Sequence, residues 1–178
     1  MARLPYADLE TPDTRPLVAQ IIAERGSVLH LYQMLLNSPP VAQGWLTHLT
    51  GIRQLSTLPG AIREMVIMRI AHLNRAPYEA DQHAPIALKE GLSQAQLDAL
   101  PAWEGSAVFS DAERAVLAYT DAMTLRVQVE DAVFAAVHVH FSPRHMVELT
   151  ATIATYNMVS RFLEALQIHS DDPRREGR

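Results

Sequence analysis

Behind the start signal Ser56-Thr57-Leu58-Pro59, the residues Ile62, Val66, Ile70 and Leu73 recur every three or four positions, and Met65 and Met68 widen the stripe. A strand, whose side chains alternate with a period of two, cannot put such a set on one face; a helix can. The same rhythm returns along most of the chain, and no segment shows sustained strand alternation. Only 7 of the 178 residues are glycine, which agrees with helix rather than sheet. The expected fold class is all-α, a helical bundle of about nine helices.

Local punctuation sets the expected helix ends. A first helix opens at Pro16, carries Leu17, Ile21 and Ile22, and stops at Gly26. A second covers 28–36, and a third, with Trp45, Leu49 and Ile52, covers 41–54. The fourth, following Pro59, closes near Asn74-Arg75. The fifth runs from Pro77 to Gly91 with Pro85 inside it, where the missing N–H predicts a kink. Ser93 caps a short sixth helix over 94–100, and 101–109 reads as a loop. Ser110-Asp111-Ala112-Glu113 is a capping-box pattern opening a seventh helix to Leu125. An eighth covers 130–140, and Ser142-Pro143 starts a long ninth ending near Leu166. Residues 1–16 read as an irregular arm, 17–168 as a single helical domain and 169–178 as a disordered charged tail.

Composition removes whole classes of function. The chain has no cysteine, so disulfides, thiolate metal sites and cysteine nucleophiles are excluded together. A formal net charge of −5 argues against nucleic acid as a partner, which calls for a basic face. No run approaches about 18 consecutive apolar residues, and Met1–Pro16 has no apolar signal core. No membrane partner is expected, and the expected location is cytoplasmic.

The stretch from Arg63 to His83 carries the chemistry. Two helices meet at a tight connection over 74–76 and should pack antiparallel, which brings Glu64, ten residues before the turn, opposite His83. Glu79 and His83 are four apart and share a helical face. A histidine flanked by carboxylates suits general acid–base chemistry, the carboxylate fixing the tautomer and the imidazole moving a proton near neutral pH. The plainer alternative is that Arg63–Glu64 and Glu79–His83 are ordinary helix-surface pairs. His138, His140 and His145 cluster around the start of the ninth helix, but residues two apart on a helix face opposite sides and no carboxylate accompanies them, so no metal is expected. Tyr156-Asn157 is a polar pair within an otherwise apolar helix.

Three blocks of this sequence resemble the carboxymuconolactone decarboxylase superfamily, in particular its longer, alkylhydroperoxidase D-like members. They are Arg63-Glu64 through His83 with Ala84-Pro85-Ile86-Ala87 and Gly91-Leu92-Ser93; Phe109-Ser110-Asp111-Ala112-Glu113-Arg114-Ala115-Val116-Leu117; and His140-Phe141-Ser142-Pro143-Arg144 with Glu148-Leu149-Thr150 and Tyr156 through Phe162. The resemblance implies an all-helical fold and self-association, as a trimer, a trimer of dimers or a dimer. Peroxidase members carry a Glu, a C-x-x-C cysteine pair and a His; Glu64 and His83 match the outer members, while the cysteine positions fall on Ala76 and Glu79. A low-pKa thiol is the basis of that peroxidase chemistry, so it does not carry over.

The decarboxylase branch needs no thiol and no cofactor. Its reaction, as the resemblance implies, takes carbon dioxide from an unsaturated lactone, and it asks for a proton donor to carbon and a group to hold the developing oxyanion. The expected reading is a lyase-type enzyme of small molecules. Glu64 and His83 are its acid–base pair, Glu79 and Tyr78 support them, and Arg63, Arg69, Asn157 and Arg161 are candidate substrate-binding residues. The alternative is a non-catalytic ligand-binding or scaffold oligomer that has lost the ancestral thiols.

Overall fold

A computed structural model describes residues 1–173. Among these residues there are nine α-helices and no strand: α1 (Arg15–Arg25), α2 (His30–Leu35), α3 (Pro39–Thr50), α4 (Gly60–Asn74), α5 (Pro77–Lys89), α6 (Gln94–Ala99), α7 (Asp111–Arg126), α8 (Asp131–His138) and α9 (Pro143–Leu166). The all-α reading holds. Contacts gather the chain into two compact units, one formed by residues 1–55 with 163 onward and the other by 56–162. The single domain expected over 17–168 is thus crossed by two unit boundaries.

In the first unit α3 packs against α1 and α2. The third helix, expected to reach residue 54, ends as α-helix at Thr50 and continues as a π-helical turn, Gly51–Leu55. The start of the expected tail is held in place here. Asp172 is buried, its Oδ2 accepts from the Tyr6 hydroxyl at 2.7 Å, and its carbonyl lies 2.7 Å from His30 Nε2. Residues 169–173 are therefore ordered, because a buried carboxylate bound to an aromatic hydroxyl outweighs the polarity of the segment. The expected disorder of 174–178 lies outside the described residues.

In the second unit α4 packs on α5, α7 and the segment Leu100–Gly105. Instead of one apolar stripe, nine consecutive residues from Arg63 to Ala71 are buried. Being surrounded, the helix behaves as an all-round core element, with Met65, Val66, Ile67 and Ile70 almost fully enclosed. Ser93 and Ser110 form full capping boxes with Gln96 and Glu113, as their spacing predicts. Of the loop expected over 101–109, residues 101–105 belong to a 3-10 helix, Leu100–Gly105, with Pro101 in its first turn and Trp103 buried. The α5 helix runs through Pro85 to Lys89, and Gly91 at φ 110° turns the chain out of it.

Candidate active site

The turn between α4 and α5 determines what faces what. Arg75 adopts the left-handed conformation (φ 52°, ψ 48°) as the α4 cap. Its N–H donates to the His72 carbonyl at 3.2 Å, and the Ala76 N–H reaches the Ala71 carbonyl at 2.9 Å. Both bonds of a Schellman ending are present, and Pro77 starts α5 at once. So short a connection leaves the two helices antiparallel.

Across this hairpin the carboxylate of Glu64 meets the imidazole of His83, with Oε2 2.6 Å from Nδ1. Glu64 is completely enclosed and His83 is 7% exposed. The other oxygen of Glu64 accepts from Arg63 Nε at 3.2 Å, and Arg63 Nη2 also pairs with Glu90 Oε1 at 3.5 Å. From α9, Tyr156 sets its ring edge-on to the imidazole, 5.1 Å between centroids at 88°. A neutral imidazole that donates from Nδ1 to a carboxylate carries its lone pair on Nε2, which makes Nε2 the basic nitrogen.

One turn before His83, Glu79 is buried and its Oε2 accepts from the Ser160 hydroxyl at 2.8 Å. The same hydroxyl lies 2.9 Å from the Tyr156 carbonyl. The second carboxylate on α5 is thereby tied to α9, and Tyr78 beside it in the chain is buried as well. Ala76 and Glu79 are both buried.

The candidate substrate-binding residues divide. Arg63 stands against Glu64. Arg69 is committed elsewhere: Nε and Nη2 each donate to Asp121 at 2.7 Å, and Nη1 donates to the carbonyls of Leu100 and Pro101 at 2.8 and 3.1 Å. Trp103 Nε1 donates to the same Asp121 at 3.0 Å, so this arginine ties α4 to α7 and to the 3-10 segment. Asn157 donates to Thr124 and to the Ile153 carbonyl and accepts from Asn74, bridging α9, α7 and α4. Arg161 is exposed and bonds Asn157. The bonds of Arg69 and Asn157 hold helices together, and those of Arg161 stay within α9.

Of the clustered histidines, His138 at the end of α8 stacks on Phe134 (5.5 Å between centroids) and His145 in α9 meets Phe141 edge-on. Among the described residues no three of His, Asp and Glu gather as a metal site would require. His72, half-buried on α4, has its pKa lowered by burial and then by the nearby Arg69. Sequence reasoning missed Ser160 and Glu90. Ser160 follows Tyr156 by four, on one face of an otherwise apolar helix, and that spacing was the available signal.

The sequence profile of the carboxymuconolactone decarboxylase family matches residues 39–122. The uncharacterised protein YnjA of Escherichia coli (strain K12) is 32% identical over 126 residues, covering 70% of this chain and 66% of that relative. The alkylhydroperoxidase AhpD core from Ralstonia eutropha JMP134 superposes with a TM-score of 0.79 at 18% identity, over 96% of this chain and 93% of the other. The debrominase Bmp8, solved as a cysteine-to-alanine variant in complex with 2,3,4-tribromopyrrole, superposes with a TM-score of 0.76 at 18% identity, over 92% and 88%. At those identities the two structures speak for the fold. No described helix is long and apolar enough to cross a membrane.

Proposed function

Since the chain belongs to the carboxymuconolactone decarboxylase and alkylhydroperoxidase D-like superfamily, we propose that it is a thiol-independent acid–base enzyme of small molecules, of the decarboxylase type. The observation that carries this reading is the enclosed contact between Glu64 and His83, 2.6 Å long and braced by Arg63. A surface ion pair would be solvated and worth little; an enclosed one costs desolvation and is kept where it has a task. With Nδ1 held by Glu64, the imidazole moves a proton through Nε2. In an unsaturated lactone acid, His83 Nε2 takes the carboxyl proton, the carbon–carbon bond to that carboxylate breaks and releases carbon dioxide, its electron pair passes into the conjugated carbonyl, and the imidazolium returns the proton to carbon. Glu64 stays ionised throughout and steadies the imidazolium. Glu79 is the second acid of the site, with Tyr78 beside it, and the protein acts as a homo-oligomer.

Turnover of a panel of unsaturated lactones and keto acids tests this directly. Wild type is expected to turn over at least one, and His83→Ala and Glu64→Gln each to lose about 10²–10⁴-fold in kcat/KM, the usual worth of a placed acid or base. Unchanged turnover in His83→Ala refutes the reading. Ala76 and Pro77 at the position where the peroxidases place their first thiol favour a second reading, a ligand-binding scaffold without catalysis. Ligand binding with no turnover in wild type selects it. Neither reading permits hydroperoxide consumption with a dithiol donor.

A further inference from the structure

The Glu64–His83 pair does not end at Arg63. That guanidinium, itself buried, stands between two carboxylates: Nε on Glu64 at 3.2 Å and Nη2 on Glu90 at 3.5 Å. Glu90 follows the last residue of α5 and its side chain is 38% exposed, so the chain of charges runs from the enclosed imidazole to the surface. A third observation shows that the sequence makes room for it. Gly60, the first residue of α4, lies directly beneath the Glu90 carboxylate, and a β-carbon at position 60 would occupy the place of Glu90 Oε2. There the carboxylate also faces the positive end of the α4 dipole, a favourable place for an anion.

We propose that Glu90, seated over Gly60, is a positioning residue of the site: it shares Arg63 with Glu64 and thereby sets how strongly Glu64 holds the His83 proton. The inference rests on the acid–base reading of that pair. While Arg63 divides its attraction between two anions, Glu64 keeps enough electron density to make a short, strong bond to Nδ1–H. When Glu90 loses its charge, or is moved off Arg63, the guanidinium settles on Glu64 alone. Glu64 then competes less well for the imidazole proton, and the bond to His83 weakens. Around this bond stand Arg63 from α4, Tyr156 from α9 and Glu79 on α5 itself, none of the three altered in the test; Glu64, a partner in the bond, is altered only as its control.

The test reads the Nδ1–H proton of His83 by NMR on the full chain, in ¹⁵N-histidine-labelled protein. A strongly hydrogen-bonded Nδ1–H resonates far downfield, and Glu64→Gln is expected to abolish that resonance. Glu90→Gln is expected to shift it upfield and to speed its exchange with water. Gly60→Ala is expected to do the same without changing any charge, since the flexible Glu90 side chain can move aside and the fold is kept. Lys89→Gln, at the exposed neighbouring position, is expected to leave it in place. If Glu90→Gln and Gly60→Ala both leave the resonance unmoved while Glu64→Gln abolishes it, the role of Glu90 is refuted and the pair stands. If wild type and Glu64→Gln give the same spectrum, the pair fails, and the inference with it.

Discussion

Replacing Asp121 by alanine removes the acceptor of three donors at once: Arg69 Nε, Arg69 Nη2 and Trp103 Nε1, at 2.7, 2.7 and 3.0 Å. The Arg69 side chain is 7% exposed, so its charge cannot turn to water without opening α4 from α7. A buried ion pair broken on one side costs about 3–5 kcal/mol, because the surviving charge stays buried without its counterion. The two carbonyls that also accept from Arg69 remain, which favours the lower half of that range. For a chain of this length about 3 kcal/mol lowers Tm by roughly 6–12 °C. Asp121→Asn keeps an acceptor oxygen and should cost less, about 1–3 kcal/mol. The double variant Arg69→Met, Asp121→Leu removes both charges and is expected to be more stable than Asp121→Ala alone. Urea unfolding followed by circular dichroism, with the slope checked for constancy, measures all three. A loss below about 1 kcal/mol in Asp121→Ala would refute the account of Arg69 as a structural tie. That outcome would restore Arg69 as a candidate ligand contact.

Two further outcomes are expected. Val127, 81% exposed, holds φ 66° and ψ −50°, with Gln128 N–H donating to the Arg126 carbonyl at 2.7 Å; this is a strained γ-turn for a β-branched residue. Relief of that strain, about 1–3 kcal/mol, should exceed the entropy cost of glycine, about 0.5–1 kcal/mol, so Val127→Gly is expected to raise Tm by a few degrees, and a lowered Tm in a melting curve refutes it. Burial pushes the Glu148 carboxyl up, but the Thr57 N–H, Arg144 and the hydroxyls of Thr57 and Ser56 outweigh it and bring it down to about 2. Because the folded value lies below the unfolded one, this stabilisation is full above the ordinary glutamate range and is lost as pH falls toward 2. Glu148→Gln should therefore be less stable than wild type at pH 7 and approach it near pH 2; a difference constant with pH counts against the assignment.

How far the sequence reached depended on how local each determinant was. Ser93, Ser110 and Gly26 mark helix ends through bonds made within one turn, Pro143 marks one through its fixed φ, and the helices begin or end where they stand. The Glu64–His83 contact was readable for a related reason: a connection of two residues leaves little choice of register between α4 and α5. What depended on distant partners was hidden. Arg69 finds Asp121 fifty-two residues along the chain, and nothing near either residue announces the other. The 3-10 segment around Trp103 is ordered by that same contact, so its neighbourhood alone reads as loop. Tyr6 and Asp172, 166 residues apart, order the first part of a tail whose composition suggests none. The all-round burial of α4 likewise follows from three neighbours that no periodicity within α4 records.

The Schellman ending at Arg75 and Ala76 has a kinetic side. It places Glu64 and His83 nineteen residues apart in the chain, the length of a single helical hairpin. Closing so short a loop requires little search, so the pair can come together as the hairpin zips, before more remote segments have docked. Substitutions that slow the docking of α9 should then act on the Tyr156 ring that meets the imidazole edge-on and leave Glu64 and His83 already paired.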